Sequence, residues 1–298
     1  MNSFLSRIKN GEILLGDGGM GTQLMKGGLP VGEAPETVNL THPESLEQIA
    51  AAYLAAGADL VTTNTFGGSP LKLALHGIGE HAEAINRIAV EAARRALIAS
   101  GGNAYVSGSC GPSGRTLKPY GDMDPGDVYQ SYAMQMSILV EAGVDLVCIE
   151  TMMDLAEAVL AVKAAKTIAL DIPVMATMTF DATPRGFYTI MGNDIPTAAK
   201  GLAEAGADLI GSNCGNGIEK MVEIAREFKR CSSLPLVIQS NAGLPTIKGG
   251  VTTYTETPEF MAARVGALIE CGVSVIGGCC GTTPEHIKAF RRVINSRR

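Results

Sequence analysis

The sequence predicts one fold class, a (β/α)8 barrel of the TIM type, formed as a single domain over residues 1–298. Three observations carry the prediction. Eight short β-rich runs each stop at a polar or glycine-containing turn and are followed by a longer amphipathic stretch. The joint leading into a strand recurs almost as a repeat. The length, 298 residues, suits one large α/β barrel of roughly 250 residues plus loops.

In order, the predicted strand runs are Ile13–Gly19, Ala58–Phe66, Ala104–Pro112, Val144–Thr151, Pro173–Phe180, Ala207–Gly215, Pro235–Gly243 and Val273–Gly281. Helical spacing fills the intervals. In Glu80–Ala99, Ile85, Ile88, Ala89, Ala92 and Ala96 fall near one face with charges opposite. The last helix opens at Thr283-Pro284-Glu285, an N-cap followed by proline at the first helical position. The joints read Ala-Ala-Gly-Ala-Asp-Leu to Leu60, Glu-Ala-Gly-Val-Asp-Leu to Leu146, Glu-Ala-Gly-Ala-Asp-Leu to Leu209, and Glu-Cys-Gly-Val-Ser-Val to Val275. Glycine there suits a helix C-terminus that must turn back into a strand. No linker or low-complexity segment divides the chain. A doubly wound open sheet is the alternative architecture.

Composition narrows the function. Hydrophobic residues make up 46%, and charged residues, at 18%, fall below the ~25% of an average soluble domain. That balance suits strands buried on both faces. The net charge of -6 comes with no Lys/Arg cluster, which argues against a nucleic-acid partner. No apolar stretch approaches the ~20 residues of a membrane span, and the polar N-terminus lacks a signal-peptide core. A cytoplasmic protein with no membrane partner is expected. Seven cysteines, an odd number, then read as reduced thiols or metal ligands.

A barrel gathers its chemistry at the C-terminal ends of its strands. Those ends carry Asp17, Asn64, Cys110, Glu150, Thr179 with Asp181, Asn213 with Cys214, Asn241, and Cys279 with Cys280. The strand N-termini show no comparable set. Three thiolates, from Cys214, Cys279 and Cys280, are one ligand short of a closed zinc tetrahedron, as in a catalytic site with an open position. Adjacent residues on a regular strand face opposite ways, so Cys279 and Cys280 share a metal only if the strand breaks. Gly277, Gly278 and Gly281 permit that break. A vicinal disulfide or redox switch is the competing reading of the pair. Cys148, Cys231 and Cys271 read as small buried hydrophobes, and Cys110 as a spare thiol. The four histidines show no ligand spacing and read as surface residues. Soft all-sulfur ligation selects zinc over magnesium or calcium.

Gly16-Asp17-Gly18-Gly19-Met20-Gly21 matches Gly-x-Gly-x-x-Gly, yet the loop-like continuation Lys26-Gly27-Gly28-Leu29-Pro30 and a next strand beginning only near Ala58 argue against dinucleotide binding. A tight turn whose backbone N–H groups at Gly18 and Gly19 hold a carboxylate is the better reading. Glu150 ends an apolar strand and needs a cation or hydrogen-bond donors. Asp17 and Glu150 together suit an ammonium group, which makes a receptor for an α-amino acid.

Several motifs occur in a telling order: Gly-Asp-Gly-Gly-Met-Gly-Thr, Thr-Asn-Thr-Phe-Gly (63–67), Glu-Thr-Met-Met-Asp (150–154), Met-Thr-Phe-Asp (178–181), Asn-Cys-Gly (213–215), Ser-Asn-Ala-Gly-Leu-Pro (240–245) and Gly-Gly-Cys-Cys-Gly-Thr-Thr-Pro-Glu-His (277–286). In these the chain resembles the homocysteine S-methyltransferase family, and most of all the homocysteine-binding module of cobalamin-dependent methionine synthase. The resemblance implies a barrel with zinc on Cys214, Cys279 and Cys280. It implies that Asn241 approaches the zinc when substrate is absent, that Asp17 and Glu150 contact the substrate amino group, and that the turn at Gly18 and Gly19 binds its carboxylate. The implied activity is methyl transfer to homocysteine, giving methionine. Thr151 stands where betaine-type relatives carry tyrosine, and 182–188 replaces the expected Gly-Arg-Thr-Leu-like loop. The folate and cobalamin modules of methionine synthase are not found in these residues. A methylcobalamin donor is therefore expected on a separate corrinoid protein, with S-methylmethionine or another small donor as the alternative. A zinc/thiol redox sensor and a metal-dependent lyase are the readings of other classes.

Overall fold

In a computed structural model that describes residues 3–30, 32–168, 170–248 and 251–297, the eight predicted runs form eight parallel strands. They are β1 (Leu14–Leu15), β2 (Leu60–Thr62), β3 (Tyr105–Cys110), β4 (Leu146–Met152), β5 (Val174–Met178), β6 (Leu209–Asn213), β7 (Leu236–Ser240) and β8 (Val273–Gly278). The ladder runs β1-β8-β7-β6-β5-β4-β3-β2, the order of a barrel cut open between β1 and β2. Pairing of β1 with β8 continues beyond its two ladder residues, through Gly16 N–H to Ile276 O and Gly278 N–H to Asp17 O, both 2.8 Å.

Side chains close the cut. Asp59 takes the Leu15 N–H on Oδ2 (2.8 Å) while its own N–H donates to Leu15 O (2.7 Å). One layer higher, Asp17 takes Thr62 N–H on Oδ2 (2.7 Å) and Thr62 Oγ1–H on Oδ1 (2.9 Å). Asp17 therefore has a structural duty at the seam as well as a place at the cavity.

The aspartate of the recurring joint explains the repeat, and it corrects the expectation that the strand N-termini carry no polar set. Asp59, Asp145 and Asp208 each accept an N–H from the preceding strand of the barrel, at Leu15, Val106 and Val174. Each is neutralised by a base from the helix layer or the N-terminal helix: Arg7 and Arg291 on Asp59, Arg94 on Asp145, Lys166 on Asp208. The preceding glycines adopt the left-handed backbone that ends a helix, with φ of +99° at Gly57, +94° at Gly143 and +102° at Gly206.

Helices cover the outer face of the strands. The predicted Glu80–Ala99 helix spans Ala82–Ala99 and buries Ile85, Ala89, Ala92 and Ala96, whereas Ile88 sits at the edge. The polar N-terminus hides one element that composition did not suggest. Helix Phe4–Lys9, capped by Ser3, plugs the barrel floor with Phe4 and Ile8. These pack on inward residues Leu14, Leu60, Tyr105, Leu146, Leu209 and Val275, and Phe4 meets Tyr105 edge-on at 5.5 Å. The opposite, C-terminal face stays open. Two short hairpins, Asp181–Thr183 with Gly186–Tyr188 and Thr246–Lys248 with Val251–Thr253, rise from it after β5 and β7. Among the described residues no helix is long and apolar enough to cross a membrane.

Candidate functional site

The last strand breaks where the glycines allow. β8 ends at Gly278, and the chain turns through Cys279, Cys280 and Gly281, the last at φ +81°. Cys279 N–H donates to Ser240 O (2.8 Å), and Cys280 O accepts Ala242 N–H (2.9 Å), so β7 fixes both cysteines. Thr282 Oγ1–H donates to Cys279 O at 2.7 Å. Cys214, just past β6, has φ +59°, a left-handed conformation rare for a residue with a side chain. Strain of this kind collects at functional positions. Thr151, at φ +58° after Glu150, is the second such residue.

These turns bring the three predicted sulfurs within 4.8 Å of one another, with Cys214 Sγ 3.9 Å from Cys280 Sγ. Sulfurs sharing one tetrahedral zinc at ~2.3 Å stand about 3.8 Å apart, so the trio fits that ion with little movement. Without a metal the trio divides its protons unequally. Hydrogen bonds from the Cys279 and Cys280 thiols push Cys214 well down, and those same bonds, with burial and the Cys214 charge behind them, push the other two up. Asn241, buried beside them, leaves its Oδ1 without a hydrogen-bond partner among the described residues. A bare buried carbonyl oxygen costs free energy unless something electropositive faces it, which also fits a metal there.

The cluster forms one wall of a cavity of about 240 Å³ that also holds Asp17, Gly18, Gly19, Glu36 and Glu150. None of the described residues lining it is Lys, Arg or His. Burial pushes the Asp17 carboxyl up to about 6, against the opposing hydrogen bonds from Thr62. Burial likewise raises Glu150 to about 7, with Asp17 and Cys214 adding repulsion and Ser109 working against it. Glu36, 3% exposed, accepts Gly67 N–H on Oε1 at 2.6 Å. Three carboxyl groups thus face one small space with no basic side chain among its described lining. A larger groove of about 650 Å³ lies outside the barrel against helix Pro43–Ala55, and no strand-end cysteine or carboxylate reaches it.

The glycine turn is partly as expected. A Cβ at Gly18 would lie 2.6 Å from Thr282 Oγ1, and one at Gly19 would lie 2.8 Å from Cys279 O. Glycine here lets the β1 and β8 loops touch. The Gly19 N–H already donates to Thr282 Oγ1 at 3.1 Å. A helix, Met20–Lys26, does open at the end of the glycine motif, and the continuation expected to be loop-like, residues 26–30, is turn and loop from Gly27 on. The helix lasts two turns, and β2 begins only at Leu60, so the compact strand–helix–strand unit of a dinucleotide site is still missing.

Other expectations divide. Cys148 and Cys271 are buried as predicted, and Cys110 is buried with its thiol on Gln135 Oε1, but Cys231 is exposed at its helix end. His286 is not a surface residue: it is 6% exposed and serves the capping box of helix Pro284–Ser296. Asn213, noted only as a strand end, turns out to be central. Its Nδ2 reaches Thr151 Oγ1 (2.7 Å) and Glu150 Oε2 (3.3 Å), and its Oδ1 accepts Thr151 N–H and Thr177 Oγ1–H, both 2.7 Å. Ser109 donates to Glu150 Oε1 at 2.5 Å. Position next to Cys214 was the one available signal for Asn213, whereas Ser109 and Glu36 had none.

Comparison with known proteins agrees with this geometry. The family model described as homocysteine S-methyltransferase matches residues 14–294. Methionine synthases of Mycobacterium tuberculosis and Mycobacterium leprae are each 34% identical over 291 residues, covering 93% of this chain and 24% of theirs. The chain spans about a quarter of the length of those relatives. The homocysteine methyltransferase MmuM from Escherichia coli superimposes with a TM-score of 0.80 in its metallated form and 0.73 in its apo form. Each shares 23% identity and covers 98% of this chain, with 99% of the metallated chain and 98% of the apo chain matched, a likeness of fold. With a matching model from the first strand to the last helix, and relatives at 34% identity over nearly its whole length, the chain belongs to the homocysteine S-methyltransferase family.

Proposed function

We propose that this chain transfers a methyl group to the thiol of homocysteine, giving methionine, with Cys214, Cys279 and Cys280 holding a zinc ion. The observation that carries the proposal is three sulfurs within 4.8 Å of one another, facing carboxylates with no basic residue among the described lining of one 240 Å³ cavity. Bound there, zinc would keep a substrate sulfur deprotonated at neutral pH, where a free thiol of pKa about 8.5 is a poor nucleophile, while three cysteine thiolates keep that sulfur electron-rich.

The chain's own groups bind and orient. Asp17 and Glu150 ionise on meeting the α-ammonium group, since an adjacent cation offsets the burial that raises their pKa values. Ser109 and Asn213 hold Glu150 in place, and Thr62 holds Asp17. Backbone N–H groups at Gly18 and Gly19 receive the carboxylate, the latter shared with the Thr282 hydroxyl. Asn241 Oδ1 covers the cluster until the substrate sulfur arrives. The main contribution to rate is holding sulfur and methyl donor in line. Three free thiolates require a reducing compartment, which suits the cytoplasm.

For the donor we favour methylcobalamin carried by a separate corrinoid protein. Exposed Met153, Ile190, Met191, Leu244 and Ile247 all lie in the segments that follow β4, β5 and β7 at the C-terminal end of the barrel, where a large donor would seat. A small cationic donor such as S-methylmethionine is the second reading, favoured by Glu36 and the absence of basic residues among the described cavity lining. The test supplies zinc-loaded protein and homocysteine with methylcobalamin, S-methylmethionine or betaine, and follows methionine. Turnover with one donor supports the proposal and excludes a purely redox-sensing role. No turnover with any of them, together with reversible thiol oxidation, would favour the sensor.

A further inference from the structure

The three sulfurs sit on two loops, 213–217 after β6 and 279–283 after β8, with loop 240–243 after β7 bonded to both, and one strap, residues 254–256, reaches all three loops. Glu256 N–H donates to Ala242 O (3.0 Å), and Ala242 N–H donates to Cys280 O (2.9 Å). The Glu256 carboxylate crosses to the first loop and accepts Ile218 N–H on Oε2 at 2.9 Å. It thereby supplies the cap that Gly217, the N-cap of helix Ile218–Cys231, cannot. A Cβ at Gly217 would lie 2.0 Å from Glu256 Oε1, so glycine there makes room for that carboxylate. Asn241 N–H donates to Asn216 O at 3.0 Å, which closes the circuit back to the Cys214 turn.

His286 fixes the strap. Its Nδ1 accepts Thr283 N–H at 3.2 Å, so Nδ1 carries no proton. The neutral ring must then bear its proton on Nε2, which donates to Glu256 O at 3.0 Å. The imidazole is buried and both ring nitrogens are used, one on the β8 loop and one on the strap.

We infer that His286 and Glu256 are a positioning pair that presets the three sulfurs at metal-binding distance, an inference that rests on the zinc reading above. Neither residue touches metal or substrate. They act through the backbone of Ala242, Cys280 and the Cys214 turn. Outer partners of this kind set metal affinity by about 10–100-fold.

The test measures zinc affinity of the reduced full chain by competition with a chromophoric chelator, and the thiolate-to-metal absorption of the cobalt(II)-loaded protein. His286→Ala is expected to bind zinc about 10–100-fold more weakly with an altered cobalt band. His286→Gln, whose side-chain N–H falls near Nε2, is expected to recover most of the affinity. Glu256→Ala is expected to weaken binding similarly, and it serves if His286→Ala does not fold. Asp194→Ala removes the cap of the distant helix Ile195–Ala205 and is expected to lower the melting temperature with affinity intact. Wild-type affinity in both His286→Ala and Glu256→Ala would overturn the inference, as would equal weakening in Asp194→Ala. Failure of the wild-type protein itself to bind zinc would instead overturn the reading on which it rests.

Discussion

Replacing Glu150 by glutamine separates what the cavity does from what stability prefers. Burial raises the Glu150 carboxyl from 4.5 to about 7. The folded chain therefore holds a proton that the unfolded chain loses, and the free-energy difference is about 1.4 kcal/mol per pH unit of that gap. The sign follows. The stability attached to this group is fully present below pH ~4.5 and is lost as pH rises through about 7. The full gap corresponds to roughly 3 kcal/mol at pH 8, and water entering the cavity mouth reduces it to about 1–3 kcal/mol. At pH 5 it is under ~1 kcal/mol. Glutamine keeps the shape. Ser109 Oγ can accept its N–H while its carbonyl takes the Asn213 amide, and the one bond given up is that from the Ser109 O–H. Glu150→Gln is thus expected to raise the stability of the ligand-free protein by about 1–3 kcal/mol at pH 8, with little change at pH 5, measured by urea unfolding. The same variant loses one carboxylate for the substrate ammonium, and homocysteine binding by calorimetry is expected to weaken about 10–100-fold, since hydrogen bonds to charged groups contribute ~1.5–3 kcal/mol. In the wild type that affinity is expected to rise as pH goes from about 6 to 7, where Asp17 and Glu150 ionise. A destabilised Glu150→Gln at pH 8, or wild-type homocysteine binding by it, would refute the reasoning.

Cys214→Ser removes one of three soft ligands and is expected to lower zinc content well below one per chain and abolish methionine formation, read by metal analysis and product assay. Asn213→Ala leaves Glu150 and Thr151 without their shared partner, and is expected to weaken homocysteine binding about tenfold while zinc content holds, read by calorimetry beside metal analysis. Asp59→Ala opens the β1–β2 seam, leaves Arg7 to Glu12 and Arg291 to the Gly57 carbonyl, and is expected to cost about 2–4 kcal/mol in urea unfolding with zinc affinity intact.

The architecture was legible because the glycine-terminated runs and the repeated joint are local signals. The cysteine cluster was legible because Cys214, Cys279 and Cys280 combine a reactive side chain with a strand-end position. Backbone strain at Cys214 and the contact of Gly18 with Thr282 were not, because both depend on loops brought together only by closure. The seam was hidden for the same reason: Asp17 reads as a functional residue and Asp59 as part of a recurring helix-to-strand joint until β1 and β2 become neighbours. His286 looked like a surface residue because helix starts are usually exposed, and only the strap from β7 buries it. Ser109 and Glu36 belong to residue types too common to single out without a cavity around them.

The most direct measurement of the central claim is zinc-edge X-ray absorption on the reduced, zinc-loaded protein, recorded before and after adding homocysteine. Three sulfur neighbours at about 2.3 Å with one lighter ligand are expected, changing to four sulfurs when homocysteine binds. A protein that binds no zinc, or a sulfur count that stays the same with homocysteine bound, would contradict it.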